Sequence, residues 1–124
     1  MKTYKHVLAL NPYFGNSTAL MGVFPPTGLE YICASLKDRV DKITLLDLRY
    51  ERTYQNPETL SAFIRDEIDL VLISIRWGTK FKDICDFVSK LPAEVTTVAG
   101  GYQATLEVDP LFARCTNLDL VVRG

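Results

Sequence analysis

Five short apolar runs, separated by segments with a helical repeat, set the fold open to this chain. The runs are HVLALN (6–11), ITLLD (43–47), DLVLISI (69–75), VTTVAG (95–100) and LDLVVRG (118–124). They are rich in Val, Ile, Leu and Thr, and apolar at successive positions, which suits strands buried on both faces of a parallel sheet. Between them the apolar residues recur at helical spacing. Leu29, Ile32, Cys33, Leu36 and Val40 form one stripe, opened by a T-x-x-E capping box of Thr27 and Glu30 after Pro26. Asn56 as N-cap and Pro57 as first helical residue open a second helix, with Leu60, Phe63 and Ile64 inward. A third carries Phe81, Ile84, Cys85, Val88 and Leu91, and a short fourth is expected from Pro110 to Cys115.

Strands and helices that alternate in this way, joined by right-handed crossovers, give an α/β fold: a doubly wound, open parallel sheet of about five strands. The expected strand order is the flavodoxin-like (Rossmann-like) 2-1-3-4-5. The last run has no covering helix after it, so residues 1–124 read as a single domain and as an N-terminal fragment of a longer protein.

Composition narrows the function classes. At 124 residues and 48% hydrophobic, there is material for one core. The net charge is −1 with Lys and Arg scattered, so no electrostatic footprint for nucleic acid or an anionic membrane is present. No apolar run approaches the roughly 20 residues that span a bilayer. Cys33, Cys85 and Cys115 are widely spaced and read as reduced thiols in a cytoplasmic protein, with no metal cluster among them.

In a doubly wound sheet, ligands bind beyond the carboxyl ends of the strands. Those ends hold Asn11, Asp47, the run Ser74-Ile75-Arg76-Trp77-Gly78, the pair Gly100-Gly101, and Arg123-Gly124. Asp47 and the RYER after it read as a solvated turn. Trp77 is either a lid on the core or a ligand-facing ring. Gly100-Gly101 is either a sharp turn or a bare stretch of backbone against which something large can lie. The loop NPYFGNSTALMGVFPP exceeds the usual two to six residues of such a connection and is strongly apolar. Its Tyr13, Phe14, Met21 and Phe24 lack an obvious place in the sheet core. They are expected to pack on a ligand or partner domain, with a self-packed loop as the other reading.

Several chemistries are excluded. No G-x-G-x-x-G or P-loop cradle follows the first strand. No catalytic Ser-His-Asp or Cys-His set can be built, because the single histidine, His6, begins the first strand at the opposite edge of the sheet.

The motifs carry a resemblance. FPPTGLEYICASL is similar to the P-P-x-G-L-x-Y-L-A-x-x-L opening of the first helix in cobalamin (vitamin B12)-binding domains of B12-dependent radical S-adenosylmethionine enzymes. VAGGYQATLEVDPLF resembles the G-G-x-H-A-T-x-x-P segment of that family, and LDLVVRG its D-x-V-V-x-G strand. The resemblance spans essentially the whole chain. It implies cobalamin held at the carboxyl ends of the strands, with Ser74, Trp77, Gly100, Gly101, Tyr102, Gln103, Thr27, Gly28, Asn11 and Gly15 as binding residues. It also implies a parent enzyme performing methyl transfer or related radical chemistry. The iron–sulfur cluster and S-adenosylmethionine would belong to a C-terminal catalytic barrel, since no C-x-x-x-C-x-x-C motif is present here. No catalytic residue is expected in this chain itself.

The sequence departs from the family pattern in three places, the first being Ser74-Ile75-Arg76, which stands for S-x-L with Arg in place of Leu. The D-x-H-x-x-G segment is replaced by NPYFG, and Gln103 stands for the His of G-G-x-H. Accordingly no protein histidine is expected on the cobalt. His6 lies roughly 15 Å back along its strand at about 3.3 Å per residue. The alternative from a different class is a non-catalytic α/β regulatory or protein-interaction domain whose apolar loop docks a partner.

Overall fold

The computed structural model describes residues 4–14, 26–76 and 80–124. The five runs are five strands: β1 (His6–Asn11), β2 (Lys42–Asp47), β3 (Leu70–Ser74), β4 (Thr96–Gly100) and β5 (Leu120–Val121). All pairings are parallel, and the order is β2-β1-β3-β4-β5, as the alternation predicts. The helices are α1 (Thr27–Leu36), α2 (Pro57–Glu67), α3 (Phe81–Val88), α4 (Tyr102–Leu106) and α5 (Val108–Arg114). Among the described residues, none follows β5.

Register separates the two faces of the sheet. Leu8 and Leu10 of β1 stand beside Val71 and Ile73 of β3, which stand beside Thr97 and Ala99 of β4. This row is at most 2% exposed throughout. Stacked with Ile64 of α2 and Ile84, Cys85 and Val88 of α3, it forms the main core. The other face carries Val7, Ala9 and Asn11, then Leu70, Leu72 and Ser74, then Thr96, Val98 and Gly100. The step from β1 to β2 runs opposite to the later crossovers, so a right-handed connection puts α1 on this second face. There α1 packs on β1 and β2.

Strand starts are pinned by aspartates. The Asp69 carboxylate accepts from the Lys5 and His6 amides at 2.7 and 2.9 Å, while Asp69 N–H donates to the His6 carbonyl. Asp119 repeats the device on β4, accepting from Thr97 N–H at 2.8 Å and donating to the Thr97 carbonyl. A one-residue slip would turn every side chain to the wrong face, and these paired bonds oppose it.

The second helix starts as the sequence predicts. Asn56 Oδ1 accepts from the Glu58 and Thr59 amides, and Pro57 occupies the first turn. Asn56→Ala should cost about 1 kcal/mol, the usual worth of such a cap, read as a lowered thermal midpoint.

Other boundaries differ. Pro26, not Thr27, is the N-cap of α1, so the T-x-x-E pair does not form a capping box. Helix α1 ends at Leu36, leaving Val40 outside the stripe. The single helix expected at 110–115 is two short ones, because the Gln103 and Ala104 amides bond at once to the Ile75 carbonyl and start α4 directly after β4. Pro110 is then accommodated in the first turn of α5, where its missing N–H is no loss. The last strand is reduced to two residues.

Candidate functional site

Among the described residues, coverage of the α1 face falls from β1 to β5. Val7 and Ala9 are fully buried, Leu70, Leu72 and Val98 are half-buried, and Leu120 and Val122 are each 59% exposed. Between α1 and this bare half of the sheet runs a cleft of about 380 Å³. Its floor is Leu70, Leu72, Val98 and Val122, and its roof is Leu29, Ile32 and Leu36. Ile32 lies on the inward stripe of α1 yet is 46% exposed, because it faces the cleft rather than the sheet.

Glycines widen the slot from both sides. A Cβ at Gly28, in the first turn of α1, would meet none of the described residues within 4 Å. A Cβ at Gly100 would make only ordinary contact with Val122, at 3.7 Å. Among the described lining residues, Ser74 alone has a polar side chain. It ends β3, it is 8% exposed, and no hydrogen bond engages its hydroxyl among the described residues.

Ser74 belongs to a transverse row at the strand ends. Asp47 pairs with Asn11 across β2 and β1, and Ser74 pairs with Gly100 across β3 and β4. The β1–β3 register, with Leu10 opposite Ile73, brings Asn11 next to Ser74. Fully buried Asn11 donates from Nδ2 to Asp47 Oδ1 at 3.0 Å. That bond fixes the orientation of its amide, since an ionised carboxylate only accepts. Asn11 Oδ1 is left buried without a partner among the described residues.

Asp47 in turn holds Arg49 through Nε at 2.9 Å and Nη2 at 2.5 Å, and the two side chains are only 13% and 4% exposed. Burial pushes the Asp47 carboxyl up, but bonds from Arg49 and Asn11 outweigh it and hold the group below its ordinary value. The solvated turn expected at Asp47 is therefore a part-buried ion pair. Arg76 lies within electrostatic reach of this pair, and its burial lowers the affinity of its guanidinium for the proton.

The structure brings Gly28, Ser74, Gly100 and Gly101 to the cleft and sets Asn11 beside it. Gly101 behaves differently from Gly100. It has φ +109°, and a Cβ there would sit 2.7 Å from the Ile75 carbonyl oxygen. A side chain would thus strike the β3 backbone, so the expectation that Gly101 is bare to make room for a ligand is corrected. Thr27 lines an outer groove with Glu30, Tyr31 and Ala34. Tyr102 is 70% exposed and, like Gln103, is absent from the cleft lining. Gly15 and Trp77 lie outside the described residues, as do Met21 and Phe24.

Tyr13 and Phe14 do find places in the core, contrary to expectation. Tyr13 is 2% exposed and its hydroxyl accepts from Arg76 N–H at 2.8 Å, while Phe14 meets the ring of Phe87 edge-on at 5.4 Å. The apolar floor and roof were missed by sequence reasoning. Their only signal was the Leu29-Ile32-Leu36 stripe, which reads the same whether it packs on a sheet or on a ligand.

Metal chemistry has no home among the described residues: no three His, Cys, Asp or Glu groups converge. Cys85 and Cys115 are fully buried and lie together, Cys115 Sγ bonding the Cys85 carbonyl at 3.3 Å. Burial and the neighbouring Cys85 push the Cys115 thiol up to about 12, which leaves it an inert core group. Among the described residues, no helix is long and apolar enough to cross a membrane.

Comparison with known proteins matches this architecture to a family. A search of curated proteins finds no matching relative. Among solved structures, the radical S-adenosylmethionine methyltransferase TsrM from Kitasatospora setae, with cobalamin and a 4Fe-4S cluster bound, superposes with a TM-score of 0.66 at 18% identity. The same enzyme with tryptophan substrate and an S-adenosylmethionine analogue bound gives 0.69 at 16%. Each alignment covers 90% of this chain and 22% of the TsrM chain, so the present chain spans about a fifth of that enzyme's length. The B12 binding domain family matches residues 17–124, and the chain belongs to that family.

Proposed function

We propose that this chain is the cobalamin-binding module of a B12-dependent radical S-adenosylmethionine enzyme acting in the cytoplasm. The observation that carries the reading is the slot itself: an apolar cleft at a strand-end site, widened by Gly28 and Gly100, with one hydroxyl, at Ser74, that is unengaged among the described residues. These residues fit the cofactor's nucleotide tail, whose flat base needs close backbone approach and few polar partners. Ser74 would hold the base, Gly28 and Gly100 would admit it, and Asn11 Oδ1 would accept an N–H from an amide of the corrin fringe. Gly101 sets the turn that aims β4 into α4, and Thr27, Tyr102 and Gln103 are left to the rim.

Bound cobalamin supplies a cobalt centre able to carry a methyl group. This chain's part is to hold the cofactor and keep water from its tail. A catalytic barrel elsewhere in the parent protein would bring S-adenosylmethionine, the 4Fe-4S cluster and the substrate for methyl transfer or related radical chemistry. The exposed Tyr102 and Leu106, close to the strand ends, suit contact with such a partner.

The test is direct. Incubation with hydroxocobalamin followed by desalting should leave a coloured protein. A colourless one without calorimetric heat would favour a protein-interaction module instead.

No histidine of the chain should ligate the cobalt. His6, the single histidine, starts β1 and is hydrogen-bonded to Thr44 Oγ1 at 2.7 Å, at the far end of the strands from Ser74. Electron paramagnetic resonance of the reduced complex should therefore show no nitrogen splitting from the protein. A splitting retained when the cofactor's own base is isotopically labelled, and lost in His6→Ala, would refute this.

A further inference from the structure

We infer that the cleft selects the base of the cofactor's tail, favouring the apolar dimethylbenzimidazole of cobalamin over a purine such as adenine. The inference rests on the proposed placement of the tail between α1 and the sheet, and it concerns which tail that slot accepts. An apolar cavity of roughly 150 Å³ already holds benzene, so 380 Å³ leaves room for a bicyclic base and part of its sugar.

Polarity then decides between bases of similar size. Dimethylbenzimidazole has one free ring nitrogen and two methyl groups. Adenine in the same place has an exocyclic amine and two further ring nitrogens. Against these the described lining residues set one hydroxyl, at Ser74, amid Leu29, Ile32, Leu72 and Val98.

The strand-end carbonyls beside the cleft are already engaged. The Gly100 carbonyl accepts from Ile75 N–H at 2.8 Å, and the Ala99 carbonyl from Val122 N–H at 2.8 Å. Beyond the cleft end, the Ile75 carbonyl already takes the Gln103 and Ala104 amides. One hydroxyl matches one ring nitrogen, and the methyl groups match the aliphatic walls. A purine would bury donors and acceptors that no further described side chain meets, each weakening binding by roughly ten- to a hundredfold.

The experiment is a set of calorimetric titrations of the chain with hydroxocobalamin, its adenine-based counterpart, and cobinamide, which has no tail base. Cobalamin should bind at least tenfold more tightly than the adenine form. Gly28→Leu, whose side chain enters open space in the slot, should bring all three ligands to the affinity of cobinamide. Circular dichroism checks that this variant is folded. Equal affinity for the two bases, or a preference that survives Gly28→Leu, would overturn the inference while leaving cobalamin binding intact. Failure of all three ligands to bind the unsubstituted chain would overturn the proposed function, and the inference with it.

Discussion

Gly101→Val should lose on the order of 3–5 kcal/mol of stability, a large part of the ~5–15 kcal/mol available to a domain. Gly100→Val should keep the fold and lose the cofactor. Adjacent glycines thus give opposite outcomes. At Gly101 the backbone has φ +109°, and a β-branched residue is an outlier in that region. Its Cβ would also lie 2.7 Å from the oxygen and 3.0 Å from the carbon of the Ile75 carbonyl. Ile75 cannot retreat, because its N–H is bonded to Gly100 and its carbonyl to the start of α4.

At Gly100 a Cβ meets only Val122, at ordinary contact distance, and valine suits a strand. The new side chain would project into the cleft, and cobalamin affinity should fall tenfold or more. Thermal melts and binding titrations on both variants make the comparison. A Gly101→Val protein that melts like the parent, or a Gly100→Val protein that binds undiminished, would contradict the account.

Asp47→Ala should be nearly as damaging, at about 3 kcal/mol, because it removes the carboxylate paired with a guanidinium that is 4% exposed. The carboxylate also takes the Arg49 backbone amide at 3.1 Å and the Asn11 amide, so its loss opens the β1–β2 corner. The acid limb should change too. The proton affinity of Asp47 is lowered in the folded state, so its stabilisation is present above the ordinary carboxylate value of about 3.9. It is lost as pH falls through the lower folded value. Below about pH 4 the parent should therefore approach the variant in stability. Melts from pH 7 to pH 2 test this, and a constant gap across that range would exclude the ion pair as its cause.

The sheet was legible in the sequence because buried parallel strands are apolar at every position. The runs at 6–11 and 95–100 match β1 and β4 to within a residue. Helix α2 was legible because its cap is local, with Asn56 and Pro57 acting on their own first turn. The partly exposed Ile32, the ion pair at Asp47 and the seat of Tyr13 were not legible. The outcome depends on groups distant in sequence: the β3–β5 surface for Ile32, the Arg76 backbone for Tyr13, and, beside the local Arg49, the Asn11 amide for Asp47. Gly101 shows the same limit. Two glycines in a row announce that backbone freedom is needed, but only the position of Ile75 tells which of them needs it.

On the proposed function, the apolar cleft beside α1 would link the folding of this domain to its supply of cofactor. A ligand seated in the cleft would bury Ile32, Leu72 and Val98 together with itself, and so would add to the apolar burial of the folded state. Mass action then applies: a ligand at a hundred times its dissociation constant adds about 2.7 kcal/mol to the folded state. When the cofactor is scarce, that increment disappears, and the unfolded fraction exposed to proteases rises about a hundredfold. Abundance of the protein would in this way follow abundance of the vitamin.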